Sequence, residues 1–194
     1  MATAVKPYPS CRYGHAGIDA VLALGAEHAF KPDEVESITY GLSNAGLLLV
    51  GAPAETKQNP TNIVGAQFSA PFVLSTALVT GTMGWDSYQR LNDPVIRRLL
   101  PRVRSVHDPE IEAEFPTNMS GKITIRARGR EFVKTVIVPL GEPANFLGED
   151  ALLAKYESLA RPRLGEGAMI LARAALRFDS LERIVDLTRL AFPK

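Results

Sequence analysis

The fold is decided by the stretch Lys122-Ile-Thr-Ile-Arg-Ala-Arg-Gly-Arg-Glu-Phe-Val-Lys-Thr-Val-Ile-Val138. Apolar and polar residues alternate with a period of two on both sides of Arg128-Gly129-Arg130, which is typical of half-buried β-strands. A short break that contains glycine between two such runs favours a tight hairpin turn. The stretch therefore predicts two antiparallel strands, over 122–126 and 132–138.

Two further strands are predicted upstream, over 34–42 and 103–106, from the same alternation. Helical patterns precede, separate and follow these strands. We therefore predict an α+β fold: a small, mostly antiparallel sheet of about four strands packed with helices, followed by a C-terminal helical tail. The predicted domain organisation is an α+β domain over residues 1–145 and a helical tail over 146–194.

Caps and prolines set the predicted helix boundaries. The first helix is expected from about Cys11 to His28. Asn59-Pro60 is expected to open a long buried helix that continues to about Thr80 with a kink at Pro71, and Asp93-Pro94 a short one. In the tail, helices are predicted over 149–161, 165–177 and 179–192, the last with a capping box of Asp179 and Glu182.

Composition limits the possible functions. The chain has 194 residues and a formal net charge of +1, which gives no electrostatic case for nucleic acid or an anionic membrane as a partner. One cysteine and three histidines exclude a disulfide framework and a Cys-rich zinc or iron–sulfur site, and glycine-rich phosphate loops are absent. We expect no metal and no cofactor. The start lacks a signal-peptide core, and no apolar run reaches the roughly 18 residues of a membrane span, so a cytoplasmic protein is expected.

The candidate site lies near the start, in Lys6-Pro-Tyr-Pro-Ser10-Cys11-Arg12. Proline restricts its own φ and the residue before it, so Lys6 is expected on an extended segment. Ser10 is predicted to cap the first helix, whose free N–H groups form a natural site for a carboxylate or phosphate. A lysine beside such a site is a candidate proton-transfer group. The alternative is a surface lysine on an N-terminal arm.

His15 and Asp19 stand four residues apart on the predicted first helix. The carboxylate is therefore in reach of the imidazole and could orient it. Cys11 lies one turn earlier on the same face. The alternative interpretation is a pair on the helix surface together with a buried thiol, and one Cys with one His is too few ligands for a metal site.

The order of several motifs resembles the C-terminal domain of the MmgE/PrpD family, which includes 2-methylcitrate dehydratases, cis-aconitate decarboxylases and iminodisuccinate epimerases. The resemblance begins at Lys6-Pro-Tyr-Pro-Ser-Cys11, followed by His15 and Ile18-Asp19-Ala20. It continues in the same order with Ala66-Gln-Phe68-Ser69-Ala-Pro71-Phe72, Asp93-Pro94, Phe115-Pro116, Gly141-Glu-Pro143-Ala-Asn145 and Leu153-Ala-Lys155-Tyr156.

This resemblance implies a lid domain that closes over an all-helical N-terminal domain with catalytic histidines and acidic residues. It also implies cofactor-independent proton abstraction next to a carboxylate of a small di- or tricarboxylate, followed by dehydration, decarboxylation or epimerisation. The implied catalytic residue is Lys6, and the implied substrate-binding residues are Tyr8, Ser10, Cys11, Arg12 and His15. The expected partners are a separate N-terminal helical domain or subunit, on which the tail would pack, and further copies in a dimer or higher oligomer. A split enzyme and a fragment of a longer one remain open, as does a non-catalytic interaction subunit.

Overall fold

A four-stranded mixed sheet forms in the computed structural model, which describes residues 3–192. The strands are β1 (Val35–Leu42), β2 (Val103–His107), β3 (Gly121–Ala127) and β4 (Arg130–Val136), in the spatial order β2-β1-β3-β4. β1 pairs in parallel with β2 and antiparallel with β3, which pairs antiparallel with β4. The predicted α+β class and the mostly antiparallel four-stranded sheet are confirmed.

The hairpin between β3 and β4 turns at Arg128 and Gly129. Both residues have positive φ, 54° and 67°. Two consecutive positive values define the turn whose twist matches that of the flanking strands. The turn fixes the register, in which Ala127 faces Arg130 and Gly121 faces Val136. The predicted hairpin is confirmed.

The described residues form two compact units, the first ending at Phe146 and the second beginning at Leu147. The helices of the first unit are α1 (His15–His28), α2 (Asn44–Gly46), α3 (Ala54–Gln58), α4 (Ile63–Gln67), α5 (Ala70–Thr80), α6 (Pro94–Leu99) and α7 (Pro109–Glu114), with a π-helical turn at Leu47–Gly51. The helices of the second unit are α8 (Glu149–Leu164), α9 (Gly167–Ala175) and α10 (Ile184–Leu190).

The core of the first unit lies where α1 packs against α5 and the sheet. Gly17 on α1 makes this approach possible, because a Cβ there would lie 2.7 Å from Tyr40 of β1 and 2.9 Å from Leu74 of α5. The Tyr40 hydroxyl accepts from the Gly17 N–H and donates to the Tyr13 carbonyl. These contacts fix the start of α1 relative to the sheet.

The prediction of one long helix from Asn59 to Thr80 is wrong. The chain forms α4 and then α5, because two polar side chains cap separate helices. Asn62 accepts from the Gly65 N–H at 2.8 Å, and Ser69 accepts from the Phe72 N–H at 3.0 Å. Pro71 therefore lies in the first turn of α5, where its missing N–H is tolerated, and does not kink a helix interior. α5 is central and buried, as predicted.

In the second unit, the predicted helix over 179–192 is wrong in its first half. A short 3₁₀ segment forms at Phe178–Ser180, and α10 begins only after Arg183, whose side chain makes no capping bond. The capping box of Asp179 and Glu182 is therefore not formed. Large apolar side chains of this unit are exposed, among them Ile170 at 58% and Ile184 at 67%. Within residues 3–192, no helix combines the length and the apolar character needed to cross a membrane.

Candidate active site

The N-terminal segment, residues 5–11, is held by hydrogen bonds from distant parts of the first unit. The Val5 N–H donates to the Gly141 carbonyl at 2.9 Å. The Pro9 carbonyl accepts from the Tyr88 hydroxyl at 2.6 Å and from the Gln67 side-chain amide at 3.2 Å. Lys6 is therefore carried by a fixed segment, and its Nζ lies 3.3 Å from the Ser10 carbonyl.

The prediction that Ser10 caps the first helix is wrong. The Cys11 N–H donates to the Gln67 carbonyl, so this end of the segment is bound to the end of α4. A 3₁₀ turn follows at Arg12–Gly14, and α1 begins at His15. Ser10 is 5% exposed, and its hydroxyl has no hydrogen-bond partner among the described residues. The hydroxyl is thus a buried polar group whose hydrogen-bonding capacity these residues leave unmet.

Lys6 lies at a cleft of about 250 Å³ in the first unit. Three of the predicted site residues line it, Lys6, Ser10 and Cys11, while Tyr8, Arg12 and His15 do not. The other lining residues are Pro9, Gln67, Phe68 and Trp85. Phe68 is 40% and Trp85 51% exposed, so the cleft combines a cationic and polar side with an apolar wall.

Tyr8 does not line this cleft and is bound to Asp19. Its hydroxyl donates to Oδ1 of Asp19 at 2.5 Å, and the second carboxylate oxygen accepts from the Leu140 N–H at 2.8 Å. Burial raises the pKa of the Tyr8 phenol, and the Asp19 carboxylate raises it further. Burial also raises the pKa of Asp19, against the opposing effect of its two donors. Because these donors occupy Asp19, the predicted His15–Asp19 pair is not formed.

His15 is a buried neutral imidazole at neutral pH. It is 2% exposed, and its ring meets the Tyr8 ring edge-on at 5.3 Å between centroids. Burial lowers its pKa to about 4, hydrogen bonds with the backbone of Ser10 and Tyr8 oppose this shift, and the positive charges of Lys6 and Arg12 add to it. Nε2 has no hydrogen-bond partner among the described residues. His15 therefore packs against the Tyr8 ring in the interior and does not line the cleft.

Arg12 is held by Glu142, a residue that the sequence did not single out by chemistry. Nε of Arg12 donates to Oε1 at 2.6 Å, and Nη2 donates to Oε2 of the same carboxylate. Such a two-pronged pair is the strongest arrangement of these groups. The Glu142 side chain is only 14% exposed, against 38% for Arg12. The guanidinium of Arg12 is therefore paired with a carboxylate of the same unit and does not line the cleft.

Residues 8–177 match the model of the MmgE/PrpD C-terminal domain. The chain belongs to the MmgE/PrpD family. It thus carries the C-terminal domain of a family of carboxylate-processing enzymes. No curated protein matches the chain.

The match to the MmgE/PrpD domain includes both hydrogen-bonded pairs, Tyr8–Asp19 and Arg12–Glu142. It begins two residues after Lys6.

The sequence analysis missed Gln67, Phe68 and Trp85 as site residues. For Gln67 and Phe68 the available signal was the motif at 66–72, which was used for the family resemblance and assigned to a buried helix, but not to the site. Across residues 3–192, no group of three or more His, Cys, Asp or Glu side chains is arranged to hold a metal ion.

Proposed function

We propose that this chain supplies the lid side of an active site for a small di- or tricarboxylate, and that the reaction begins with cofactor-independent removal of a proton next to a carboxylate. The observation that carries the proposal is the cleft, which Lys6 lines together with Ser10 and Cys11. A lysine ammonium binds a carboxylate through a charge-assisted hydrogen bond.

The role of Lys6 follows from where charge develops. When a proton leaves the carbon next to a carboxylate, negative charge spreads onto that carboxylate. A fixed cation at the carboxylate stabilises the transition state more than the ground state, which is the condition for catalysis. Lys6 is proposed to supply this cation, or to transfer the proton itself, and Ser10 and Cys11 to contact the substrate beside it.

Tyr8, Arg12 and His15 are proposed to support the segment that carries Lys6 without lining the cleft themselves. The Tyr8 hydroxyl and the Arg12 guanidinium are bound by Asp19 and Glu142, and His15 packs on the Tyr8 ring. A neutral imidazole whose pKa lies near 4 is a poor proton donor at neutral pH. Proton transfer therefore falls to Lys6 and to groups outside this chain.

A separate N-terminal helical domain or subunit is proposed to complete the site. Phe68 and Trp85 expose apolar surface directly beside Lys6, where such a domain would exclude water from the reacting carbon. The exposed apolar side chains of α9 and α10 favour packing of the tail on another domain or chain. A dimer or higher oligomer is part of the same proposal.

Citrate binding tests the proposal, and Trp85 is the reporter. It is the single tryptophan of the chain and lines the cleft, so its fluorescence reports occupancy. Titration of the full chain with citrate is expected to change the signal saturably. Lys6→Ala is expected to raise the Kd about tenfold, since a charge-assisted hydrogen bond is lost.

Lys134→Ala is the matched control, because Lys134 is exposed on β4 and does not line the cleft. It is expected to leave the Kd unchanged. An unchanged Kd in Lys6→Ala, or no saturable signal in the wild type, would overturn the proposal and favour a non-catalytic interaction subunit.

A further inference from the structure

The loop at 140–145, which lies shortly after β4, is stabilised by hydrogen bonds within itself and to the residues just before it. The Gly141 N–H donates to the Asn145 carbonyl at 2.8 Å, and the Asn145 N–H donates to the Glu142 carbonyl at 2.9 Å. The Asn145 side-chain amide donates to the Val138 carbonyl at 3.0 Å. These bonds give the loop a fixed shape without help from the N-terminal segment.

The backbone of this loop binds the N-terminal segment at its first residue. The Gly141 carbonyl accepts from the Val5 N–H, directly before Lys6. Gly141 has φ of +89°, and a Cβ there would lie 2.0 Å from the Val5 carbonyl oxygen. Only glycine permits both the conformation and the approach.

Two carboxylates extend the attachment beyond Lys6. Asp19 joins the Leu140 N–H to the Tyr8 hydroxyl, and Glu142 holds Arg12 with both oxygens. The attachments at residues 5, 8 and 12 thus lie on both sides of Lys6 and Cys11. They come from three kinds of group: a carbonyl, a backbone N–H and a carboxylate.

We propose that the 140–145 loop is a strap that positions Lys6 at the cleft, and that Glu142 and Asp19 are positioning residues acting through Arg12 and Tyr8. This assignment rests on the proposed function of Lys6. It gives Arg12 a different role from that of a substrate ligand, because Glu142 already occupies its two-pronged face. Release of either carboxylate is expected to loosen the segment without removing any cleft side chain.

The test uses Cys11, the single cysteine, which lies in the segment and lines the cleft. The rate at which its thiol reacts with 5,5′-dithiobis(2-nitrobenzoate) reports how accessible the thiol is, and loosening of the segment is expected to increase that accessibility. Glu142→Gln is expected to raise this rate about tenfold, since the glutamine keeps the shape but loses the charge of the pair. Citrate affinity, measured through Trp85, is expected to fall in the same variant.

Glu34→Gln is the matched control. Glu34 also binds an arginine with two bonds, from Nε and Nη2 of Arg128, but this pair lies away from the cleft residues. It is expected to leave both the labelling rate and citrate affinity unchanged. Arg12→Lys, which keeps the charge but loses the planar fork, is expected to give an intermediate labelling rate.

Equal labelling of Glu142→Gln and wild type would overturn the strap, even if citrate binds through Lys6. Faster labelling with wild-type citrate affinity would also overturn it, since the loop would then hold the segment without positioning Lys6. Failure of citrate to bind the wild type would overturn the proposed function, whereas the labelling rates would still test the attachment itself.

Discussion

The two ends of α1 are held by the same kinds of group in different surroundings. At the C-terminal end, Arg128 donates to the carbonyls of His28 and Ala29 and to Glu34, and its guanidinium lies 5.7 Å from the centre of the Phe30 ring. The side chains of Arg128 and Glu34 are partly exposed to solvent, and Arg128 does what a helix end requires, which is to satisfy the last carbonyls.

At the N-terminal end, the corresponding arginine, Arg12, bonds to no helix carbonyl. It binds Glu142, while Asp19 binds Tyr8, and both carboxylates connect to the loop at 140–145. The interactions here are partly buried and join segments far apart in sequence. The side chains at the C-terminal end thus terminate a helix, whereas those at the N-terminal end hold a neighbouring segment in place.

The largest expected effect separates two glycines with positive φ. Gly141→Ala places a methyl group on the Val5 carbonyl oxygen in a strained conformation, so the free energy of unfolding should fall by about 3 kcal/mol. Gly129→Ala in the β3–β4 turn has nothing within 4 Å of its added Cβ and should cost about 1 kcal/mol. Urea unfolding followed by Trp85 fluorescence measures both. Equal costs would contradict the close approach of the loop to Val5.

The second-largest expected effect is a pH dependence of stability, which distinguishes His15 from His28 at the other end of α1. His15 has a folded-state pKa of about 4, below the unfolded value of about 6.5, so the unfolded chain binds more protons between these values. Stability is therefore full above about pH 6.5 and falls as the pH decreases toward 4.

Between pH 7 and pH 5, the titration of His15 should lower the free energy of unfolding of the wild type by about 2 kcal/mol. His15→Leu should remove this loss. Urea unfolding at the two pH values measures it. His28→Leu, at the partly exposed other end, is the matched control. A pH dependence that is the same in His15→Leu and wild type would show that the imidazole is not buried in its neutral form.

The smallest effect concerns a single hydroxyl. Tyr8→Phe leaves Oδ1 of the partly buried Asp19 without its donor, so the free energy of unfolding should fall by about 1 to 2 kcal/mol. Glu34→Gln at the solvent-exposed end should cost less, since exposed ion pairs contribute little. The same urea titration ranks the two variants, and the reverse order would contradict the comparison of the two ends.

Local rules predicted the parts of the fold that local forces build. The alternation in β3 and β4 and the glycine at their turn are sufficient to define a hairpin, and Asp93 caps α6 as expected. Asp108-Pro109 carries the same signal and begins α7. The break between α4 and α5 was missed because both helices are apolar, and only the caps at Asn62 and Ser69 mark it.

The candidate site was predictable only in part, because its geometry depends on contacts over long sequence separations. Lys6, Ser10 and Cys11 are neighbours in sequence, and the structure brings them to one cleft. The partners that decide their environment, Gln67 and Trp85, come from other elements. Asp19 lies at the right spacing for His15, but the Tyr8 hydroxyl and the Leu140 N–H, which no spacing rule includes, bind it instead.

The most direct test of the central claim observes the Lys6 amine itself. Reductive dimethylation with ¹³C-formaldehyde labels the lysines and retains their positive charge, and Lys6→Arg identifies the Lys6 signal in the NMR spectrum. Addition of citrate is expected to shift this signal saturably, with the same Kd that Trp85 fluorescence reports, and to leave the Lys134 signal in place. A Lys6 signal that stays fixed while Trp85 fluorescence saturates would contradict the claim that this lysine binds the carboxylate.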